Sequence, residues 1–374
     1  MDSGRTLLLV GGGRWARVYL SILSRLDVPV KDVLVASRHG GAALQAAIAQ
    51  ANSAGIRRFA VVPDWREACA DAAVIVNAAR EHAATARALM TRGLPVLVEK
   101  PVALDLAEAL ALAELARQRH LPLRPALALN HCAYLHNFAE AARGALAALS
   151  EVIVIWRDPP AEPRYGETKS IDTGTGLGED VGPHVATLVA AVARPAKLTS
   201  AVIARGGLSV RLDGTCAAAT LTIEMAREAS GRDRSILLRD VDGREARLDF
   251  STEPGIITVG GVSRDADPGW GGRLSPLTLQ LLDFLRADSP REEDLAAILD
   301  TTAFSSAAAT LVRQAQHALL KKGVASAEDR LVAAKELLAP KLIAAGLAPP
   351  GDNAALETAA RRALADDPEW TTYL

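Results

Sequence analysis

A short apolar strand that runs directly into three glycines is the feature that most constrains the fold of this chain. Residues 7–16 read LLLVGGGRWA, and a helical pattern of apolar residues follows. Gly11 permits a tight turn, Gly13 lets the backbone approach a pyrophosphate, and Ala16 allows close helix packing. The amino end of the helix also favours an anion. This order of strand, turn and helix predicts a dinucleotide-binding unit in which Gly11 and Gly13 contact the cofactor.

The end of the second strand indicates which dinucleotide binds. Residues 32–36 form a second apolar strand, and Ser37 and Arg38 follow it. An NAD enzyme places an acid here, whereas a hydroxyl and a guanidinium favour a 2′-phosphate. The sequence therefore favours NADP(H) over NAD(H). Arg14 and Trp15, next to the glycines, are expected to add cofactor contacts.

Strands and helices alternate through the rest of the first third. Apolar strands are expected at residues 59–62, 73–77 and 96–98, with helices at 42–54, 65–72, 82–92 and 105–117. This alternation is typical of an α/β protein with a parallel sheet. We therefore predict an N-terminal Rossmann domain, with a doubly wound parallel sheet, over residues 1–127.

The strand at residues 96–98 ends in Glu99, Lys100 and Pro101. Open α/β sheets bind ligands at the carboxyl ends of their strands, so Lys100 is a candidate working residue. The alternative is that Glu99 and Lys100 only solvate a loop.

The glycine turn, the strand ending near Asn77, the following His82 and the Glu-Lys-Pro motif together resemble the Gfo/Idh/MocA family of oxidoreductases. The resemblance implies that Lys100 contacts substrate and nicotinamide, and that its peptide bond to Pro101 is cis. It also implies that Asn77, His82 and Glu99 lie at the cofactor.

One departure from the family pattern lies in the same segment. The family usually has Pro-Asn where this chain has Ala78 and Ala79. The departure affects the expected contacts on the nicotinamide side, not the expected fold.

The second domain is expected to begin at residue 128, and the pattern changes to consecutive strands from Glu151. A strand at residues 126–129 leads to Asn130, which resembles the family's crossover into its second domain, and a helix is expected at 137–149. Strands then follow one another, with turns expected at residues 213–214 and 242–243: 152–156, 198–205, 207–212, 216–224, 235–241, 245–250 and 256–259. Consecutive strands with short turns predict a mostly antiparallel open sheet in a C-terminal α+β domain, residues 128–325.

A second motif lies between the first two of these strands. Residues 176–184 read GLGEDVGPH, so Asp180 and His184 are four residues apart and share a face if the segment is helical. Pro183 requires that the helix has only just begun. An acid beside an imidazole suits a general acid/base, although such a pair is often only a surface contact. In the Gfo/Idh/MocA family, a glycine-rich stretch running into Asp-x-Gly-x-His is the second hallmark.

The resemblance also implies a reaction. Hydride passes between nicotinamide C4 and a substrate carbon, His184 exchanges the proton with Asp180 orienting it, and Lys100 polarises the reacting group. No metal is expected, because Asp180 and His184 have no third ligand at a suitable spacing.

A polar segment at residues 164–172 is expected to face the substrate. Arg164 and Lys169 suit a carboxylate or phosphate on the substrate, and Tyr165 or Trp156 suits its body. Asn130, at the crossover, is a further candidate substrate contact. The alternative is a solvated loop.

Helices are expected at residues 276–286, 292–316 and 327–345. Residues 326–374 form a helical C-terminal extension that exceeds the usual family length. It is either an oligomer contact or a brace, and the sequence leaves this open.

Composition narrows the partners. The net charge is -2, with no run of lysine or arginine, which argues against nucleic acid or a membrane surface. No apolar segment is expected to reach the roughly 20 residues that span a bilayer. Cys69, Cys132 and Cys216 form no ligand pattern and suit reduced, mostly buried thiols in a cytoplasmic protein. A homo-oligomer is expected.

Three functions remain open. The leading one is an NADP-dependent dehydrogenase or reductase acting on a small polar substrate of the sugar or polyol class, although the aromatic content of 4% is low for a sugar site. The second is an imine reductase of specialised metabolism, a branch that residues 15–20 faintly resemble. The third is a nucleotide-binding regulator without catalysis, against which the joint presence of Lys100, Asp180 and His184 argues.

Overall fold

The protein is described here by a computed structural model covering residues 4–37, 41–170, 175–321, 325–349 and 352–366. The chain divides into two compact units. The first unit comprises residues 1–132 and 271–303, and the second comprises residues 133–270 and 304–374.

The first unit is built on a six-stranded parallel sheet with the strand order β3-β2-β1-β4-β5-β6. Its central strands, β1, β4 and β5, are almost continuously apolar and buried because both faces of the sheet are covered there. β6 contains Pro125 and lies at the edge of the sheet, where a missing N–H is tolerated. The strands are β1 (Arg5–Val10), β2 (Val30–Ala36), β3 (Arg58–Val62), β4 (Ala72–Ile75), β5 (Val96–Glu99) and β6 (Leu123–Ala126).

Four helices lie between these strands, and the chain later returns to the same unit. The helices are α1 (Arg14–Leu23), α2 (Ala42–Ser53), α3 (His82–Thr91) and α4 (Leu106–Arg119). Asp105 caps α4, its side chain accepting a hydrogen bond from the amide of Glu108. In the returning segment, Leu295 and Ile298 join the buried core formed by the strands, α3 and α4.

The second unit is built on an eight-stranded sheet, with the order β10-β11-β12-β7-β13-β14-β15-β16. All adjacent pairs are antiparallel except β12 with β7. The strands are β7 (Leu149–Arg157), β10 (Ala196–Ala204), β11 (Ser209–Cys216), β12 (Ala219–Ala226), β13 (Asp233–Asp240), β14 (Glu245–Asp249), β15 (Ile256–Val259) and β16 (Val262–Asp265), and a separate hairpin contains β8 (Ala161–Arg164) and β9 (Glu167–Ser170). The predicted fold class is confirmed for both parts of the chain.

The remaining helices are α5 (Ala133–Ala145), α6 (Leu177–Val192), α7 (Ser275–Leu285), α8 (Glu292–Lys321), α9 (Ala327–Ala344) and α10 (Asn353–Asp366). The last two form the C-terminal extension. They share an apolar core with the end of α8 that includes Leu320, Leu338 and Leu356. The extension is thus a packed part of the second unit.

Helix α8 corrects one expectation about apolar segments. By length and composition it is able to cross a membrane, but half of its most apolar window is buried inside the protein.

Four local predictions are wrong. The first is the strand expected at residues 126–129, because β6 ends at Ala126 and residues 128–131 form a 3-10 turn. Residues 65–70 are not helical, because the Asp64 carboxylate accepts from the amide of Arg66 and Arg92 donates to the carbonyls of Trp65 and Ala68. Residues 213–214 lie inside β11, and the turn comes later, at Ala217 with φ of 51°. The polar segment at residues 164–170 belongs to the β8-β9 hairpin, and residues 171–174 lie outside the described part.

Candidate active site

The glycine turn, residues 11–13, connects β1 to α1 at the carboxyl edge of the parallel sheet. Gly11 has φ of +136°, and a Cβ there would lie 2.7 Å from the carbonyl oxygen of Val76. A Cβ on Gly12 would lie 2.0 Å from Ser37 Oγ, whereas a Cβ on Gly13 meets no described atom within 4 Å. Gly11 and Gly12 are therefore required by the protein's own packing. Gly13 leaves open space at the helix amino end, as an incoming phosphate group requires.

Ser37 directly follows β2, and its side chain lies beside Gly12 of this turn. The guanidinium of Arg14 lies 4.8 Å from the centre of the Trp15 ring, a cation–π contact at the start of α1. Arg38 lies outside the described residues. Ser37 and Arg14 are thus the described residues that bear on the choice between NADP and NAD.

The side chain of His82 lies between the segments that follow β4 and β5. Its Nδ1 is 2.7 Å from the carbonyl oxygen of Pro101, its Nε2 is 3.1 Å from that of Asn77, and the residue is 1% exposed. Burial lowers the pKa of His82, and the nearby charge of Lys100 acts in the same direction. The ring therefore positions the two strand ends from inside the protein.

Asn77 is held from its other side by the start of α3. Its Nδ2 donates to Glu81 Oε2 at 3.1 Å and to Thr85 Oγ1 at 3.0 Å. Its buried Oδ1 makes no hydrogen bond to any described residue. A buried acceptor at the carboxyl edge of a Rossmann sheet fits a donor group of a bound dinucleotide.

Lys100 directly follows β5 at the same edge of the sheet. Glu99 is 6% exposed, Lys100 is half-buried, and the peptide bond from Lys100 to Pro101 is cis, as the resemblance implied. Carboxyl ends of neighbouring parallel strands meet at one edge, so Lys100 and Asn77 share an edge with the glycine turn. Asn130 lies exposed in a short 3-10 turn after β6, also in the first unit.

Asp180 and His184 lie one helical turn apart on α6 in the second unit. The helix begins at Leu177, so Asp180 is in the first turn and Pro183 is in the second. A Cβ on Gly178 would lie 2.8 Å from the amide nitrogen of Ala309. The glycines of the motif therefore let α6 pack against α8 at close range, which fixes the direction in which Asp180 and His184 project.

Trp156 on β7 lies against His184. The two rings are stacked, with centroids 4.9 Å apart and planes within 5° of parallel. Trp156 is 3% exposed, and the guanidinium of Arg234 lies 3.9 Å from its ring centre. Asp158 accepts two hydrogen bonds from Arg234, at 3.1 and 2.6 Å. Trp156 thus supports the imidazole, whereas the sequence suggested a contact with substrate.

Arg227 follows β12 and approaches the other member of the motif. Its Nη2 donates to Asp180 Oδ2 at 3.3 Å and to the carbonyl of Thr175 at 2.8 Å. Sequence reasoning missed Arg227 and Arg234. Arg234 occupies a buried position in the alternation of β13, and Arg227 is buried directly after the end of β12. An arginine in the apolar phase of a strand is a signal of a buried charge with a partner.

The hairpin carries the remaining predicted substrate contacts. Tyr165 and Gly166 form its two-residue turn, with φ of 57° and 79°. Arg164 lies 3.7 Å from Glu253 and 5.4 Å from the Tyr165 ring centre. The side chain of Lys169 lies outside the described set. In the described part, Arg164 therefore contacts a carboxylate of its own unit.

The comparisons with known proteins agree with this geometry. The profile of the Gfo/Idh/MocA family, described as an oxidoreductase family with an NAD-binding Rossmann fold, matches residues 5–126. Residues 5–126 thus match the NAD-binding Rossmann domain of this oxidoreductase family. The resemblance inferred from its motifs and its class as an oxidoreductase are thereby confirmed. No curated protein matches the sequence.

Solved structures of two dehydrogenases and a ketoreductase share the fold across most of the chain. A UDP-N-acetylglucosamine 3-dehydrogenase from Acidithiobacillus ferrooxidans is 21% identical, with a TM-score of 0.64, covering 83% of this chain and 99% of that one. A 3-ketoreductase from Actinomadura kijaniata, in complex with TDP-benzene and NADP, is 17% identical, with a TM-score of 0.64, covering 81% and 96%. A levoglucosan dehydrogenase, in complex with NADH and L-sorbose, is 14% identical, with a TM-score of 0.67, covering 83% and 97%.

Proposed function

We propose that the protein transfers hydride between the nicotinamide C4 of NADP(H) and a carbinol or carbonyl carbon of a small, sugar- or polyol-like substrate. The observation that carries this proposal is the edge of the parallel sheet in the first unit. There the glycine turn, Ser37, Asn77 and Lys100 all follow the carboxyl ends of neighbouring strands. Ligands bind at this edge in open α/β sheets.

The residues at this edge fit a dinucleotide. Gly13 leaves open space at the amino end of α1, and Asn77 offers a buried acceptor. Ser37 and Arg14 present a hydroxyl and a guanidinium, which suit the 2′-phosphate of NADP. When bound, the nicotinamide supplies or accepts the hydride.

The chain's own residues have the remaining chemical roles. The ammonium of Lys100 polarises the substrate oxygen and stabilises the charge that develops on it. The imidazole of His184 exchanges the proton with the substrate, and Asp180, one turn earlier on α6, orients that imidazole. The stacked Trp156 ring holds His184 in one plane.

The substrate class follows the solved relatives, whose names include a nucleotide-sugar dehydrogenase, a 3-ketoreductase and an anhydrosugar dehydrogenase. The hairpin with Arg164 and Lys169 belongs to the second unit, and its basic side chains suit an anionic group on the substrate. A sugar nucleotide or sugar acid combines both properties.

Two measurements test the proposal. Fluorescence titration compares NADPH with NADH, and the proposal expects tighter binding of NADPH; tighter binding of NADH would contradict the cofactor assignment. A screen of carbonyl, polyol and imine compounds then follows absorbance of the reduced cofactor. Turnover of imines alone would replace the proposal with the imine reductase alternative, and binding without any turnover would favour a regulator.

A further inference from the structure

Arg227 links two carboxylates from distant parts of the second unit. Its side chain is 4% exposed, and Nη2 donates to Asp180 Oδ2 at 3.3 Å. Its other terminal nitrogen, Nη1, lies 3.7 Å from Glu336 Oε1 on α9. Nη1 makes no hydrogen bond within the described part of the chain. The carboxylate of Glu336 is the acidic group that lies beside it.

Glu336 is itself held in one position. Its side chain is 6% exposed, and Gln316 Nε2 of α8 donates to its Oε2 at 2.7 Å. The same Nε2 lies 3.2 Å from the carbonyl oxygen of Gly206. Burial raises the pKa of Glu336, while Arg227 and the hydrogen bond from Gln316 oppose that rise.

The contact between α9 and the sheet depends on two glycines that precede β11. A Cβ on Gly206 would lie 2.3 Å from the carbonyl oxygen of Asp329, and a Cβ on Gly207 would lie 2.5 Å from Gln316 Nε2. Their φ values of +68° and +120° are also unfavourable for other residues. The backbone is thus shaped to receive α9 at close range, directly beside Glu336.

We infer that Glu336 is a positioning residue for Asp180 and that it acts through Arg227. A buried guanidinium needs compensating charge, and without it the side chain moves toward water or toward another acid. Glu336 supplies this charge from the buried side, so Arg227 remains where its Nη2 meets Asp180. The C-terminal extension therefore contributes to the acid/base pair on α6. This inference rests on the proposed function, in which Asp180 orients His184.

A double-mutant cycle tests the inference on the full-length protein. The variants are Glu336→Ala, Arg227→Met and both together, with Glu328→Ala as the matched control because Glu328 is exposed on the same helix. We expect Glu336→Ala to lower kcat about 10- to 100-fold with KM unchanged, as small misplacements of catalytic groups do. In the Arg227→Met background, Glu336→Ala is expected to change kcat no further.

Two outcomes would overturn the inference. One is a kcat for Glu336→Ala equal to that of Glu328→Ala, and the other is an additive effect in the double variant. If Glu336→Ala does not fold, Glu336→Gln replaces it, since it keeps the volume and an acceptor oxygen.

The cycle is also measured without substrate, by thermal unfolding midpoints. The double variant leaves no buried charge without its partner. We therefore expect its unfolding midpoint to fall by less than the sum of the decreases in the two single variants. Additive midpoints would contradict the Arg227 link. If the unsubstituted protein shows no turnover but the midpoints are non-additive, the proposed oxidoreduction is rejected. The link between Glu336 and Arg227 then still stands.

Discussion

The ring of Trp156 lies parallel to the imidazole of His184, within 5° and with centroids 4.9 Å apart. Trp156 belongs to β7 and His184 to α6, so a strand and a helix of the second unit are joined at the proposed acid/base. Arg234 and Phe250 contact the same indole. The indole is thereby fixed, and through the stack it limits the rotation of the imidazole.

Replacing Trp156 is therefore expected to affect both stability and catalysis. Trp156→Ala should reduce the free energy of unfolding by about 3–5 kcal/mol, as large aromatic truncations in cores do. It should also lower kcat, because His184 loses its support. Urea unfolding and steady-state kinetics measure the two effects. Trp156→Phe retains an aromatic face and is expected to keep most of the activity; a Phe variant as inactive as the Ala variant would contradict the supporting role.

Lys100→Ala tests the electrostatic role proposed for the lysine. Loss of one positively charged donor at a developing oxyanion should lower kcat by roughly 10²- to 10³-fold. Binding of NADPH, followed by fluorescence, should remain within a few-fold of the unsubstituted protein. Lys31→Ala is the control, since Lys31 is exposed on β2 of the same unit. Turnover by Lys100→Ala at the unsubstituted rate would remove Lys100 from the chemistry.

Gly182→Ala tests the close packing of α6. The added Cβ would lie 2.7 Å from Ser305 Oγ and 3.1 Å from Ser305 Cα. Overpacking of this kind costs about 1–3 kcal/mol, and it should also displace His184, two residues later. Gly144→Ala on α5, whose Cβ meets no described atom within 4 Å, should instead stabilise by about 0.5–1 kcal/mol. Equal unfolding midpoints for the two variants would refute the packing argument.

The pH dependence of stability reports on His82. Its pKa is lowered by burial, so the folded protein keeps it neutral where the unfolded chain already binds a proton. Its contribution is complete above the ordinary value of 6.5 and is lost as the pH falls through that value toward the lowered one. In His82→Gln, the unfolding free energy should therefore change less steeply with pH across this range than in the unsubstituted protein. The slope should persist in His136→Gln, a change at an exposed site.

Thiol reactivity should distinguish the three cysteines. Cys69 is exposed, whereas Cys132 and Cys216 are buried. Burial raises the pKa of the Cys216 thiol to about 11, and its Sγ donates to the carbonyl of Ala193 at 3.1 Å. Ellman's reagent should therefore modify one thiol rapidly in the folded protein and all three after denaturation. Rapid modification in Cys69→Ser would contradict this assignment.

Predictions from the sequence were most accurate where one physical requirement dominated a local pattern. Continuous apolar strands separated by amphipathic helices require a covered parallel sheet, and the first unit has one. The predictions failed where contacts with residues distant in the sequence determined the backbone conformation. Arg92 holds residues 65–68 out of a helix, and β10 approaches Gly214 so closely that the expected turn becomes a strand.

The same distinction holds for the candidate site. The sequence alone determined the glycine turn, Lys100 at a strand end and the spacing of Asp180 from His184, because these depend on glycine sterics, sheet polarity and helical periodicity. Only the tertiary structure decided that Trp156 stacks on His184, that Arg227 pairs with Asp180, and that His82 lies buried between two strand ends. These contacts join residues far apart in the chain, and burial selects such partners in a way that local patterns do not record.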